Sequence, residues 1–159
     1  LIYSGEISIM HRVFIDSDII LDVLAKREPF YIPAAKLFTL LDKGEVSGFA
    51  SPIVFANIHY ILRKAKSKEY ALQSLRTLKS FISVLPIDEK IIELALDSSF
   101  NDFEDAIQYY TAKSYEINFL ITRNKKHYKQ STISICTAEE YLKIWAAAVE
   151  KNGNNKNRQ

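Results

Sequence analysis

Apolar residues along the chain fall into short continuous runs separated by longer stretches of helical spacing. Val13-Phe14-Ile15, Val46 to Ala50, Ser83-Val84-Leu85, Phe119-Leu120-Ile121 and Ile133 to Cys136 are the short runs, read as strands buried on both sides. Between them, helical periodicity covers Ile19 to Leu24, Ala34 to Asp42, Ile53 to Arg63, Glu69 to Phe81, Glu89 to Leu96, Ala106 to Tyr115 and a last helix to about Ala148. Local signals set the ends. Ser51-Pro52 is an N-cap followed by proline at the first helical position, Asp88 is a cap, Gly44 is a C-terminal stop, and Thr137 with Glu140 forms a capping box. Asn101 with Glu104 forms a second box, so Glu104 is expected to turn back onto the helix start. Strands separated by one or two helices predict an α/β fold of three layers, α/β/α, around a parallel sheet of four or five strands.

Composition narrows the class. The 159 residues suit one domain, with 48% apolar and 25% charged residues as in ordinary globular proteins. No run approaches the ~18 apolar residues of a membrane span, so no membrane partner is expected. Cys136 is the only cysteine, which excludes a disulfide framework and a thiolate zinc site and fits a reducing, cytoplasmic compartment. Residues 1–9 (LIYSGEISI) are expected to be a non-native or unstructured leader ahead of Met10. Residues 10–149 are the domain, and 150–159, ending in KNGNNKNRQ, are expected to be a disordered tail.

Chemistry concentrates at strand exits and helix starts. Asp16 and Asp18 follow the first strand, Asn57 lies on the helix after the second, Asp102 and Asp105 open the helix before the fourth, and Thr122-Arg123-Asn124 follow the fourth. In an open parallel sheet these places share one edge. Hard oxygen donors without a histidine or thiol suit Mg²⁺ or Mn²⁺, and such ions activate water and neutralise charge in phosphodiester attack. Asp16 can serve as a helix cap or as a ligand; the apolar strand ahead of it and the acids at 102 and 105 favour the ligand. Asp18 and Thr122 are supporting candidates. Asp22 is read as a cap or surface acid and His11, His59 and His127 as structural or surface residues. With a net charge of only +2, RNA binding needs a local cluster, and Arg63, Lys64, Arg123 and Lys125, with Lys66, Lys126 and Lys129, are the candidates. Asp16-Ser17-Asp18 also fits the first signature of haloacid-dehalogenase-like phosphatases, but the later Lys and Gly-Asp signatures of that class are missing.

The segments FIDSDIILDVL, SPIVFANIHYILRK, NDFEDAIQYYTA and FLITRNKKHY, in that order, resemble the PIN-domain family of metal-dependent ribonucleases, which includes the VapC toxins. The resemblance spans nearly all of residues 10–141, and the DFEDA and ITRN pair is its most specific part. It implies a Mg²⁺- or Mn²⁺-dependent endoribonuclease with a 5′-phosphate product. It also implies a small antitoxin partner and a homodimer. Carried over by position, it implies Asp16, Asp102 and Asp105 as catalytic metal-binding acids, with Asn124 at the fourth position. The second acid, usually Glu, is Asn57 here, and an auxiliary acid is replaced in His127-Tyr128. The alternative is a weakened or inactive PIN-like module that binds RNA or a protein without cutting.

Overall fold

In the computed structural model, which describes residues 10–129 and 131–156, five parallel strands form one sheet in the order β3-β2-β1-β4-β5. The strands are β1 (Arg12–Ile15), β2 (Ser47–Ala50), β3 (Ile82–Val84), β4 (Phe119–Ile121) and β5 (Ser134–Cys136). Around them lie α1 (Ser17–Leu24), α2 (Tyr31–Asp42), α3 (Pro52–Ala65), α4 (Lys68–Phe81), α5 (Glu89–Leu96), α6 (Phe103–Ser114) and α7 (Ala138–Lys156), with a 3-10 turn over Lys125–Tyr128. β1 is central, and its Val13, Phe14 and Ile15 are fully buried, as expected of a strand covered on both faces. Helices cover the sheet and bury a main core that includes Ile20, Leu37, Ile58, Leu120 and Tyr141, with a second cluster of Ile91, Ala95, Ala106 and Ile107 between α5 and α6. At Gly48 in β2 a Cβ would stand 2.8 Å from Leu41 Cδ2, so α2 packs onto β2 where the strand has no side chain.

Local signals act as expected at most element ends. Ser51 Oγ accepts from Val54 N–H, Asp88 Oδ1 from Ile91 N–H, and Thr137 and Glu140 exchange both capping-box bonds. Gly44, at φ 68°, ends α2 in a Schellman motif, with Glu45 N–H reaching Leu40 C=O. Two expectations change. The last helix continues past Ala148 to Lys156, so residues 150–156 of the expected tail are helical, since adding a turn to an existing helix needs no new nucleus. Residues 157–159 and the expected leader, 1–9, lie outside the described residues.

The second change is at α6. Its N-cap is Asp102, not Asn101, and Asp102 Oδ1 accepts from Asp105 N–H at 3.0 Å. A carboxylate caps as well as an amide and also favours the positive end of the helix. Moving the start by one residue rotates every side chain by about 100° relative to the cap. Glu104 therefore cannot reach back to the cap and turns towards α3.

The strand order reverses between β1 and β4, and the crevice outside their carboxyl ends is where such a sheet places ligands. Asp16 leaves β1 there, with its N–H bonded to Ile121 C=O at the end of β4. Among the described residues no helix is long and apolar enough to cross a membrane.

Candidate metal and nuclease site

Asp16 is 6% exposed and has four donors. Its Oδ1 accepts from Ser17 N–H at 2.7 Å, Ser17 Oγ at 3.3 Å and Gln108 Nε2 at 3.3 Å, and its Oδ2 from Thr122 Oγ1 at 2.9 Å. It is thus both the cap of α1 and the acid at the strand exit. Thr122, fully buried, joins the end of β4 to the exit of β1 through this bond, and its hydroxyl also accepts from Asn124 N–H at 3.0 Å.

Asp105 lies in the first turn of α6 and faces the 3-10 turn. His127 Nδ1 is 2.8 Å from its Oδ2, and Tyr128 donates its hydroxyl to Oδ1 at 3.2 Å. His127, expected as a structural or surface residue, is therefore a direct partner of the central acid. Burial raises the Asp105 carboxyl above the usual range; the His127 hydrogen bond opposes this, while Asp102 and Asp16 add to it. Burial raises the Tyr128 phenol, reinforced by the charges of Asp16 and Asp105.

Glu104 is the residue that sequence reasoning misassigned. Its Oε1 accepts from Asn57 Nδ2 at 2.5 Å and from Gln108 Nε2 at 3.4 Å. Burial raises its carboxyl, and Asp16 adds to the rise, while the Asn57 hydrogen bond opposes it. The signal was available in part: an acid between two acids, four residues before a glutamine, places Glu104 and Gln108 on one helix face. Asp102 is exposed and contributes its cap to the backbone of Asp105. Asn124 is exposed too, and borders a cleft with Asp22, Phe30 and Arg123 rather than contacting the three acids among the described residues.

A second acid cluster lies on the α1 side. Asp18 Oδ2 accepts from Arg123 N–H at 3.0 Å, and Arg123 Nε stands 3.0 Å from Asp22 Oδ2. Asp22, expected at a cap or on the surface, is fully buried, because the α1 periodicity that carries Ile19 and Ile20 inward carries it too. Its contact with Arg123 is a close ion pair without hydrogen-bond alignment, and neither Asp22 oxygen has a hydrogen-bond donor. The guanidinium also stacks 4.1 Å over the Phe30 ring. Burial, then the Asp16 charge, pushes the Asp18 carboxyl up to about 6, against the Arg123 N–H bond.

The basic rim takes a different shape from the one expected. Arg123 is committed to Asp22, and Lys125 pairs with both oxygens of Glu140 at 2.9 Å. Arg63 and Lys64 are exposed in the last turn of α3, about 10 Å along the helix from Asn57. A cleft beside Asp102 is lined by Phe100, Asn101, Lys126, His127 and Lys129. Among the described residues neither Lys126 nor Lys129 makes an ion pair, so these two lysines are the cations that face solvent next to the acids.

The donor set of Asp16, Glu104, Asp105, Asn57 and Thr122 is all hard oxygen, the chemistry that Mg²⁺ and Mn²⁺ take. As the side chains stand, no three His, Cys, Asp or Glu residues among those described form a ready-made ion cage. The Asp16 and Asp105 oxygens are turned to Ser17, Gln108, Thr122, His127 and Tyr128 instead. The residues fit the ion by donor type, and in this arrangement their oxygens are engaged by hydrogen bonds.

Comparison with curated proteins gives no match. Solved structures that share the fold include a toxin-antitoxin complex from Klebsiella pneumoniae, 22% identical, with a TM-score of 0.61 over 79% of this chain and 97% of that one. DNA-bound VapBC from Salmonella typhimurium is 20% identical, with a TM-score of 0.61 over 81% and 99%. VapC20 from Mycobacterium tuberculosis, described as a sarcin-ricin-loop-cleaving toxin, is 14% identical, with a TM-score of 0.55 over 68% and 86%. The PIN-domain family model matches residues 12–126, from the first strand through ITRN, and so covers both acid clusters and the strand exits between them; the chain belongs to the PIN-domain family.

Proposed function

We propose that the protein is a Mg²⁺- or Mn²⁺-dependent ribonuclease acting as the toxin of a toxin-antitoxin pair. The observation that carries this reading is the link from α6 to the exit of β1 at the sheet's switch point, where Gln108, three residues after Asp105, reaches Asp16 Oδ1 with its Nε2 at 3.3 Å. Asp16, steadied by Ser17 and Thr122, and Asp105, steadied by His127 and Tyr128, would hold the ion. Asp102 fixes the start of α6 and so the backbone of Asp105. A divalent ion bound there supplies an activated water and neutralises charge on the phosphodiester. Lys126 and Lys129 bind the RNA backbone beside it, with Lys64 and Arg63 further along α3. Solved structures of the same fold that are toxin-antitoxin complexes support an antitoxin partner for this chain; the homodimer and the cytoplasmic setting belong to the same proposal.

A second reading, a PIN module that binds RNA or a protein without cutting, is favoured by Asn57. An amide at that place lacks charge, and the acids near it already have protein donors. The two readings part in one assay: RNA cleavage with Mn²⁺ by wild type, Asp105→Asn and Asn57→Glu. Cleavage by wild type that Asp105→Asn abolishes supports the nuclease. An inert wild type with an active Asn57→Glu variant establishes the second reading.

A further inference from the structure

The first turn of α6 sends its acids in different directions. Asp102 is committed to the cap, Asp105 faces His127 and Tyr128, and Glu104 faces α3. A glutamate at the second position of a helix normally gains from the macrodipole while staying in water. Glu104 is instead partly buried, against two side-chain amides.

Gln108 is the independent observation. It is 1% exposed, and its Nε2 lies 3.3 Å from Asp16 Oδ1 and 3.4 Å from Glu104 Oε1. Two carboxylates are thus within reach of a single nitrogen. The same amide leaves its Oε1 buried without a donor. Two carboxylates thus share one neutral amide donor, no lysine or arginine among the described residues pairs with either, and a further buried oxygen acceptor stands on the same head group.

We infer that Glu104 is a carboxylate ligand of the cation site, set beside Asp16 by Asn57 and Gln108 as positioning residues. The inference rests on the nuclease-site reading above. Asn57 contributes no charge of its own, but its N–H₂ group fixes one oxygen of Glu104 against α3. The site thereby holds Asp16, Glu104 and Asp105, three carboxylates delivered by one strand exit and one helix turn. Affinity for a hard divalent ion rises with the number of charged ligands, so the third carboxylate sets how tightly the ion is held.

The test is calorimetric titration of the full chain, stripped of metal by chelation, with Mn²⁺ alone, alongside the shift in unfolding temperature that Mn²⁺ causes. The variants are Glu104→Gln, Asn57→Ala, the exchange Asn57→Glu/Glu104→Gln, and Asp16→Asn. Glu104→Gln is expected to weaken Mn²⁺ binding at least ~10-fold and to lose most of the metal-induced shift, with a metal-free unfolding temperature no lower than wild type. Asn57→Ala is expected to weaken binding by about 2- to 5-fold, as loss of a positioning group does. The exchange variant, which returns a carboxylate to the same contact from the α3 side, is expected to recover to within about 3-fold of wild type. Glu104→Gln binding Mn²⁺ as tightly as wild type, or an exchange variant no better than Glu104→Gln, overturns the inference. Asp16→Asn separates the two levels. If it loses Mn²⁺ while Glu104→Gln keeps it, this inference alone fails; if it too binds as wild type does, the nuclease site fails with it.

Discussion

Two acid clusters flank the exit of β1, and they solve the same electrostatic problem in opposite ways. On the α1 side, Asp18 and Asp22 face the Arg123 guanidinium, clamped between Asp22 and the Phe30 ring. On the α6 side, Asp16, Glu104 and Asp105 face amides, hydroxyls and one histidine, and among the described residues none is paired with a lysine or arginine. Carboxylates gathered without a permanent cation repel one another, a cost that a bound ion would remove. The contrast distinguishes acids held by a protein cation from acids that have none among the described residues. It also explains why a search for acids alone could not separate them, since both clusters begin in the same DSD and TRN segments.

The sharpest way to break this contrast is to neutralise one member of each cluster. Asp16→Asn and Asp105→Asn are expected to lower Mn²⁺-dependent RNA cleavage by at least ~100-fold, because ion-bound charge stabilisation contributes several kcal/mol. Metal-free stability in urea should change by no more than about 1 kcal/mol, since asparagine keeps the bonds of one carboxylate oxygen, its NH₂ group turns to Thr122 Oγ1 or His127 Nδ1 in place of the other, and mutual repulsion falls. A variant that loses both fold and activity would place these acids with the structural cluster.

Arg123→Ala should do the reverse. It leaves the fully buried Asp22 carboxylate without its ion-pair partner and with only Arg27 as a counter-charge, so stability should fall by about 2–3 kcal/mol, below the full cost of a wholly buried pair because Arg123 is partly exposed. Adding Asp22→Asn should recover part of that loss, a coupling measurable in a double-mutant cycle. Arg123→Ala with wild-type stability but reduced RNA affinity would return Arg123 to the binding surface.

A smaller effect follows from pH. The Asp18 carboxyl moves from 3.8 up to about 6 in the fold, so the folded state holds its proton more tightly than the unfolded chain. The stability this brings is fully present below about pH 4 and lost as pH rises through about 6. In chelator, acidifying from pH 7.5 to 5.5 should therefore raise stability by about 1 kcal/mol, with Glu104 and Asp105 adding in the same direction. Asp18→Asn should flatten most of the Asp18 part; an unchanged slope would show that Asp18 is not the group that titrates. The smallest effect is expected of Lys125→Ala, which breaks an exposed pair with Glu140 and should cost no more than about 0.5 kcal/mol. Lys126→Ala and Lys129→Ala should likewise spare the fold while weakening RNA binding, with a shallower salt dependence for each lysine removed.

What the sequence determined by itself is the part governed by near neighbours. Five strands, seven helices, the caps at Ser51, Asp88 and Thr137, the stop at Gly44, and Asp16 and Asp105 at a shared sheet edge were all legible, because periodicity and capping act within a few residues. The cap of α6 was misplaced by one residue, since Asn101 and Asp102 are equivalent caps by local rules and only the folded chain selects between them. That single step decided the fate of Glu104. Its partner Asn57 is 47 residues away, the His127 that holds Asp105 is 22 away, and the Arg123 main chain that holds Asp18 is 105 away. Whether an acid meets an amide, a histidine or an arginine depends on which chain segments the parallel sheet brings to one edge, and no local pattern carries that information. The sequence thus supplied the acids and the edge on which they stand, and the tertiary structure decided which of them meet a protein cation and which, among the described residues, meet none.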